Sequence, residues 1–207
     1  MASTASPYGL RAVNELGGLP YAGSTRQFLI DPAGYNTNIF NGSIVAINTS
    51  GYINIVTTNG DNSTPFPAGT IGVFVGCSYT NAQGQIIYAQ YYPANTVSVQ
   101  GSAITAYVID DDRAVFQVQA NGSMAQTTLG MNVILSAVQS TSTGSTTTGN
   151  STTAVSTSAA ATSGYAFRVV GFADVPGFST VGDAFTDILV KFNPGAHSYS
   201  NATGVAI

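Results

Sequence analysis

Residues 71 to 79 alternate. Ile71, Val73, Val75, Cys77 and Tyr79 stand against Gly72, Phe74, Gly76 and Ser78, the period of two that sends successive side chains to opposite faces of a sheet. The same period sets Ala114, Phe116, Val118 and Ala120 against Val115, Gln117 and Gln119, and Ile188, Val190 and Phe192 against Asp187, Leu189 and Lys191. Apolar runs over 43–48, 52–57, 85–92, 103–109, 131–138 and 165–173 read as further strands. Turn chemistry separates them at Thr49-Ser50-Gly51, Asn59-Gly60-Asp61, Asn81 to Gly84, Asp110 to Asp112 and Asn121-Gly122. Short strands at this spacing predict an all-β domain, an antiparallel β-sandwich or a β-barrel-like closure. Helix is not expected, because Gly, Thr, Val, Ile and Asn are weak helix formers and no long stretch keeps a period of 3.6.

Two segments depart from the strand pattern. Residues 1–27 hold Gly9, Gly17, Gly18, Gly23, Pro7 and Pro20, keep neither period for long, and read as an extended N-terminal arm ahead of a β-rich core over 28–195 and a tail over 196–207. Fully stretched, such an arm reaches about 90 Å, against a radius of gyration of roughly 17 Å for a globule of this length. Its apolar residues Tyr8, Leu10, Val13, Leu16, Leu19 and Tyr21 are too many for a freely solvated tail, so they are expected on a surface, of this chain or of a neighbour. Residues 140–163, dominated by Ser, Thr, Ala and Gly, read as a loop or polar hairpin projecting from the core.

Charge narrows the picture further. Of 207 residues 7% are charged, with one Lys, one His, one Cys, no Trp and a net charge of -4. Five cationic residues make no phosphate-neutralising surface, so neither nucleic acid nor an anionic membrane is expected as a partner, and no apolar run is long enough for a spanning helix. The start lacks the basic and apolar regions of a secretory signal, so export by that route is not expected, and the six Asn-x-Ser/Thr triplets read as chance matches in an Asn-, Ser- and Thr-rich chain. One cysteine allows no internal disulfide, so packing or partner subunits must supply stability.

Candidate chemistry is thin. Asp110, Asp111, Asp112 and Arg113 are the densest charges, but no calcium-loop spacing surrounds them and a turn between strands is the expected role. His197 has no second ligand nearby in sequence, and Cys77 sits within an alternating apolar strand, the place of a small core residue. Asp174, Asp183 and Asp187 could make a glycosidase-like carboxylate pair only if their loop converges, and solvation of the loop 174–186 is the nearer reading. Tyr88, Tyr91 and Tyr92 cluster in one candidate strand, where aromatic faces suit a subunit contact first and a sugar platform second. No enzyme, cofactor or metal is expected from this inventory.

Several segments together resemble the head decoration or cement proteins of podovirus-like tailed phages. They are Ser6-Pro7-Tyr8-Gly9-Leu10-Arg11-Ala12-Val13, Ala22-Gly23-Ser24-Thr25-Arg26-Gln27, Gly72-Val73-Phe74-Val75-Gly76-Cys77, Val169-Val170-Gly171-Phe172, and Gly182-Asp183-Ala184-Phe185-Thr186-Asp187-Ile188-Leu189-Val190-Lys191. Each is short and none is a chemical motif. The resemblance implies a β-tulip-like domain, often a homotrimer, on the outer surface of an icosahedral capsid, where it clamps neighbouring copies of the major capsid protein. Interface residues expected on this reading are Tyr8, Leu10, Arg11, Val13, Leu16, Leu19, Tyr21 and Arg26 of the arm, with Tyr88, Tyr91 and Tyr92. A carbohydrate-binding virion module or fibre head is the alternative.

Overall fold

The computed structural model describes residues 4–205. Among them the strands are β1 (Arg11–Glu15), β2 (Arg26–Ile30), β3 (Ile44–Ile47), β4 (Ile53–Ile55), β5 (Thr70–Thr80), β6 (Ile86–Ala89), β7 (Ile104–Ile109), β8 (Ala114–Gln119), β9 (Asn132–Val133), β10 (Phe167–Phe172) and β11 (Asp187–Phe192). The only helical elements described are three short 3₁₀ turns. The fold is all-β and sandwich-like: a five-stranded antiparallel sheet in the order β1-β8-β11-β10-β9, and a six-stranded one in the order β2-β7-β5-β3-β4 with β6 added to β5. The acidic turn after β7 carries the chain from the second sheet into the first, so β7 and β8 are consecutive without pairing.

The six-stranded sheet curls until its end strands β2 and β4 touch, although they do not pair and no barrel closes. One core fills the curl, built from Ile30, Ile39, Val45, Ile53, Ile71, Phe74, Cys77, Tyr92, Ile104, Ala106 and Val108. The other lies between the sheets, where Ile44, Val73 and Ile109 meet Phe116, Val118, Phe167, Ile188, Val190 and Phe192. Edge-to-face contacts of Phe192 with Phe116, at 5.7 Å, and of Phe66 with Phe167, at 5.6 Å, set the aromatic part of that second core.

The strict alternation expected for β5 does not survive. Its register slips against β3 between Val45 and Ala46, and against β7 between Phe74 and Gly76, so Ile71 and Val75 are the extra residues of two bulges. Val73 and Val75 therefore join the core between the sheets, while Ile71, Cys77 and Tyr79 turn into the curl with Phe74. The bulges let one long strand serve both cores. Glycine is required beside one of them: at Gly72, φ +141, a Cβ would come within 1.9 Å of the Ile109 carbonyl oxygen.

Residues 140–163 form no projecting loop. Val155 is fully buried and bridges both Ala120 at the end of β8 and Leu135, while Ser151, Thr153 and Ala154 are buried beside it. Polar side chains can lie inside here because they are satisfied. Buried Gln139 accepts the Ile44 N–H at 2.9 Å and donates to the carbonyls of Ile44 and Val56 at 3.1 and 2.9 Å, standing in for a strand along β3. A small hairpin closes at Gly144 and Ser151 and lies against the ring of Phe40.

The arm is likewise part of this chain's own fold. β1 is the edge strand of the five-stranded sheet, paired with β8, and β2 already begins at Arg26. Leu10, expected at an interface, is 2% exposed and belongs to the core between the sheets, which contributes about 2 kcal/mol of burial. It enters where two glycines cross: Leu10 N–H donates to Gly42 O at 3.0 Å, and at Gly9, φ +76, a Cβ would meet Gly42 O and Ser151 at 2.8 Å. Gly9→Ala is expected to lower the urea midpoint by the equivalent of about 1–3 kcal/mol, whereas Gly18→Ala, at φ +84 with nothing near its Cβ, carries only the backbone part of that cost.

Candidate functional site

The described ionisable groups are dispersed rather than convergent. Asp110 follows β7 and its side chain is 12% exposed; its carboxylate takes Arg26 Nε at 2.9 Å and the Tyr199 hydroxyl at 2.7 Å, and Arg26 also donates to Tyr199 Oη at 2.9 Å. Burial, then the bond to Asp110, pushes the Tyr199 phenol up to about 12. This triangle ties the start of β2, the end of β7 and the C-terminal segment together. Asp111 accepts the Arg113 N–H at 2.8 Å and Asp112 accepts from Ser200 at 3.2 Å, so each carboxylate of the acidic turn has a partner, one local and the others distant in sequence. Buried His197 packs on Phe192 and Tyr199, and desolvation pulls its pKa down against the opposing pull of Asp112.

Cys77 and His197 do not meet. Cys77 lies inside the curl, where burial pushes its thiol up to about 12, while His197 packs on the core between the sheets. Asp183 accepts the Thr180 N–H of its own loop, Asp187 accepts from Tyr8, and Asp174 is exposed. A groove of about 460 Å³ beside β3 and β4 is lined by residues such as Ile47, Ile55, Pro67 and Val205, and none of its lining side chains is ionisable.

The tyrosines separate too. Tyr92 is a correction: it is fully buried in the curl, its hydroxyl accepting the Tyr35 N–H and donating toward the Tyr35 and Thr96 carbonyls. β6 ends at Ala89, so the chain bends before Tyr92 and the period of two is lost. Tyr91 stacks on Phe40 at 5.5 Å and is half-buried. Tyr88 alone stands out, 75% exposed.

Convergence appears instead on the outer face of the five-stranded sheet. Arg11 pairs with Gln117, Gln117 with Leu189, and Lys191, two residues on, with Arg168, so these side chains share the face turned away from Phe116, Ile188 and Val190. Arg11, Lys191 and Arg168 have no carboxylate within ion-pair distance among the described residues; Arg168 donates to Asn132 at 3.1 Å and Arg11 covers the Tyr8 ring at 4.7 Å. Beside Arg11, the edge strand and the turn after it expose Val13, Leu16 and Leu19, the last 62%. Tyr21 is half-buried against the core, and Phe178, 78% exposed, tips the turn closed by Val175 and Ser179. The sequence pointed to Arg11, Val13, Leu16 and Leu19; it gave no signal for Arg168, Lys191 or Phe178, whose placement depends on strand pairing and loop shape.

No protein-family model matches this chain, and no curated protein or solved structure is significantly similar to it.

At the other end of the cationic face, half-buried Asp187 accepts the Tyr8 hydroxyl at 3.1 Å. Burial raises the Asp187 carboxyl pKa, and the Tyr8 hydrogen bond offsets part of that rise. A raised carboxyl contributes its stability below the ordinary carboxylate range and loses it as pH climbs through the folded value. Asp187→Asn keeps an acceptor for Tyr8 but cannot ionise, so its stability relative to the parent should increase between about pH 3.5 and about pH 7. Urea melts at the two pH values check this; a difference that stays flat or shrinks refutes the assignment.

Proposed function

We propose that the protein is a non-catalytic structural component of a virion, one that binds the outer surface of an icosahedral phage capsid and cements neighbouring major capsid proteins. The observation that carries a docking role is the outer face of the five-stranded sheet. An acidic chain with five cationic residues gathers three of them there without carboxylate partners, beside exposed Val13, Leu16 and Leu19. Arg168 and Lys191 sit directly opposite one another, an arrangement that costs stability in isolation and that an acidic partner surface relieves. Exposed apolar groups beside such a face are the mark of a protein contact rather than of a reaction centre.

The capsid as the specific partner, and a homotrimer as the assembled form, rest on the resemblance of the segments around Tyr8 to Val13, Gly72 to Cys77 and Gly182 to Lys191. The sugar-binding alternative has less to stand on, since of its three tyrosines only Tyr88 presents an open ring. Because β1 and Leu10 are built into the fold, deleting residues 1–27 would unmake the sheet edge and test nothing about docking. Point changes serve better. Leu16→Asp with Leu19→Asp should leave the melting temperature unchanged, both side chains being exposed, and weaken co-sedimentation with capsids that lack the protein by roughly tenfold or more, about 1.4 kcal/mol. Undiminished binding, or absence of the protein from purified virions, would sink the reading.

A further inference from the structure

Sheet edges expose unpaired backbone groups, and folded proteins guard them with charge, bulges or cover. Of the five sheet edges described, four are guarded. β9 is capped by Ala160, which exchanges backbone hydrogen bonds with Asn132 at 2.8 and 2.9 Å; β1 carries Arg11, Glu15 and a bulge, with Pro20 bridged to Asn14; β2 and β4 lie against each other. β6 differs. It pairs with β5 alone, in unbroken register from Cys77 opposite Ala89 to Thr80 opposite Ile86, and no charged residue occurs anywhere from Asn62 to Ile109.

Its free edge can be read from the hairpin. Asn81 N–H donates to Gln85 O at 2.9 Å, so pair 81/85 is hydrogen-bonded; alternation makes 79/87 and 77/89 the next bonded pairs. The N–H and C=O groups of Ile86 and Tyr88 therefore point out of the sheet. The side chains of the same two residues are 65% and 75% exposed, on one face.

We propose that β6 pairs antiparallel with β6 of a second copy of this chain, about a two-fold axis through Ile87. In that register Ile86 of each copy faces Tyr88 of the other, each pair exchanging both backbone hydrogen bonds. The side chains form two cross-strand contacts between a branched and an aromatic residue, a favourable pairing. The edge fits itself because it carries no charge to oppose its own image, which is the requirement of a two-fold contact; a charged partner strand would find no counter-charge along it. Two such short strands bury well under about 1,000 Å², so the pair is weak between free molecules and gains strength where copies are held side by side. The inference does not depend on what the cationic face binds.

Cysteine cross-linking tests the register in purified protein. Ile87→Cys places two thiols across a non-hydrogen-bonded antiparallel pair, where the backbones approach most closely. Cys77 is 1% exposed and can stay in place, the parent chain serving as blank. With copper-phenanthroline at about 1 mM protein, Ile87→Cys should form a covalent dimer at least roughly tenfold faster than the collision control Ala82→Cys in the exposed turn. Adding Tyr88→Lys, a change at an exposed position, should bring the two rates together. Equal rates at the outset, or a fast rate that Tyr88→Lys leaves untouched, would overturn the proposal. Capsid binding is read separately, so either reading can fail alone.

Discussion

A sheet that buries both of its faces leaves no side on which a charged side chain stays hydrated. The middle of the six-stranded sheet is in that position: Ile71, Phe74 and Cys77 of β5 fill the curl while Val73 packs against the opposite sheet. A charge placed on either side would lose its hydration at a cost of several kcal/mol, whereas Ser, Thr, Gly and paired backbone are accommodated cheaply. The uncharged run from Asn62 to Ile109 includes β5 and β7, so part of the scarcity of charge answers the inside of the molecule before any partner is considered, while exposed β6 falls outside that account. Curling also fixes where function can sit. It closes β2 against β4, leaves β6 as a bare extension of β5, and presents the outside of the five-stranded sheet as the broad open face.

The strands whose side chains follow a clean period of two were legible. The candidates at 43–48, 103–109 and 114–120 coincide with β3, β7 and β8 to within two residues at each end. Those at 71–79, 165–173 and 187–192 match β5, β10 and β11 as closely, and irregularity hid β1 and the facing of β5. β1 carries a bulge at Val13, which breaks its alternation and made residues 11–15 read as arm, and the two bulges of β5 exchange the faces of Ile71 and Cys77 relative to Val73. The segment 140–163 was legible in part: its hairpin closes at Gly144 and Ser151, but its burial carried no signal. Its composition is that of a loop, but Ser151, Thr153 and Gln139 satisfy one another and the backbone of β3, so polarity there marks a buried network.

The site was legible only in part, and the division is instructive. The acidic turn could be read from its local bond between Asp111 and Arg113, whereas the distant partners of Asp110 and Asp112, Arg26, Tyr199 and Ser200, could not. Leu10 reads as surface because it stands in a stretch without regular period, and Tyr92 because the period of two is carried past the end of β6; each is core because of a distant crossing, Gly42 for the first and Tyr35 for the second. Of the cationic face only Arg11 could be read. Arg11, Lys191 and Arg168 meet only because β11 pairs with both β8 and β10, an order that no local pattern encodes.

The two surfaces left open by this architecture work by different physics. On the five-stranded sheet, opposed Arg168 and Lys191 raise the energy of the free molecule, so an acidic partner relieves a cost already present and salt should weaken the contact. At β6 the gain comes from backbone hydrogen bonds and two side chains, with nothing for salt to screen. If both proposed contacts form, a chain with so few charges separates them by mechanism: a salt-sensitive face toward the partner, and a salt-insensitive edge between like copies. Added salt should then detach the protein from an acidic surface while leaving neighbouring copies paired, an order of disassembly that a protein held only by ion pairs would not show.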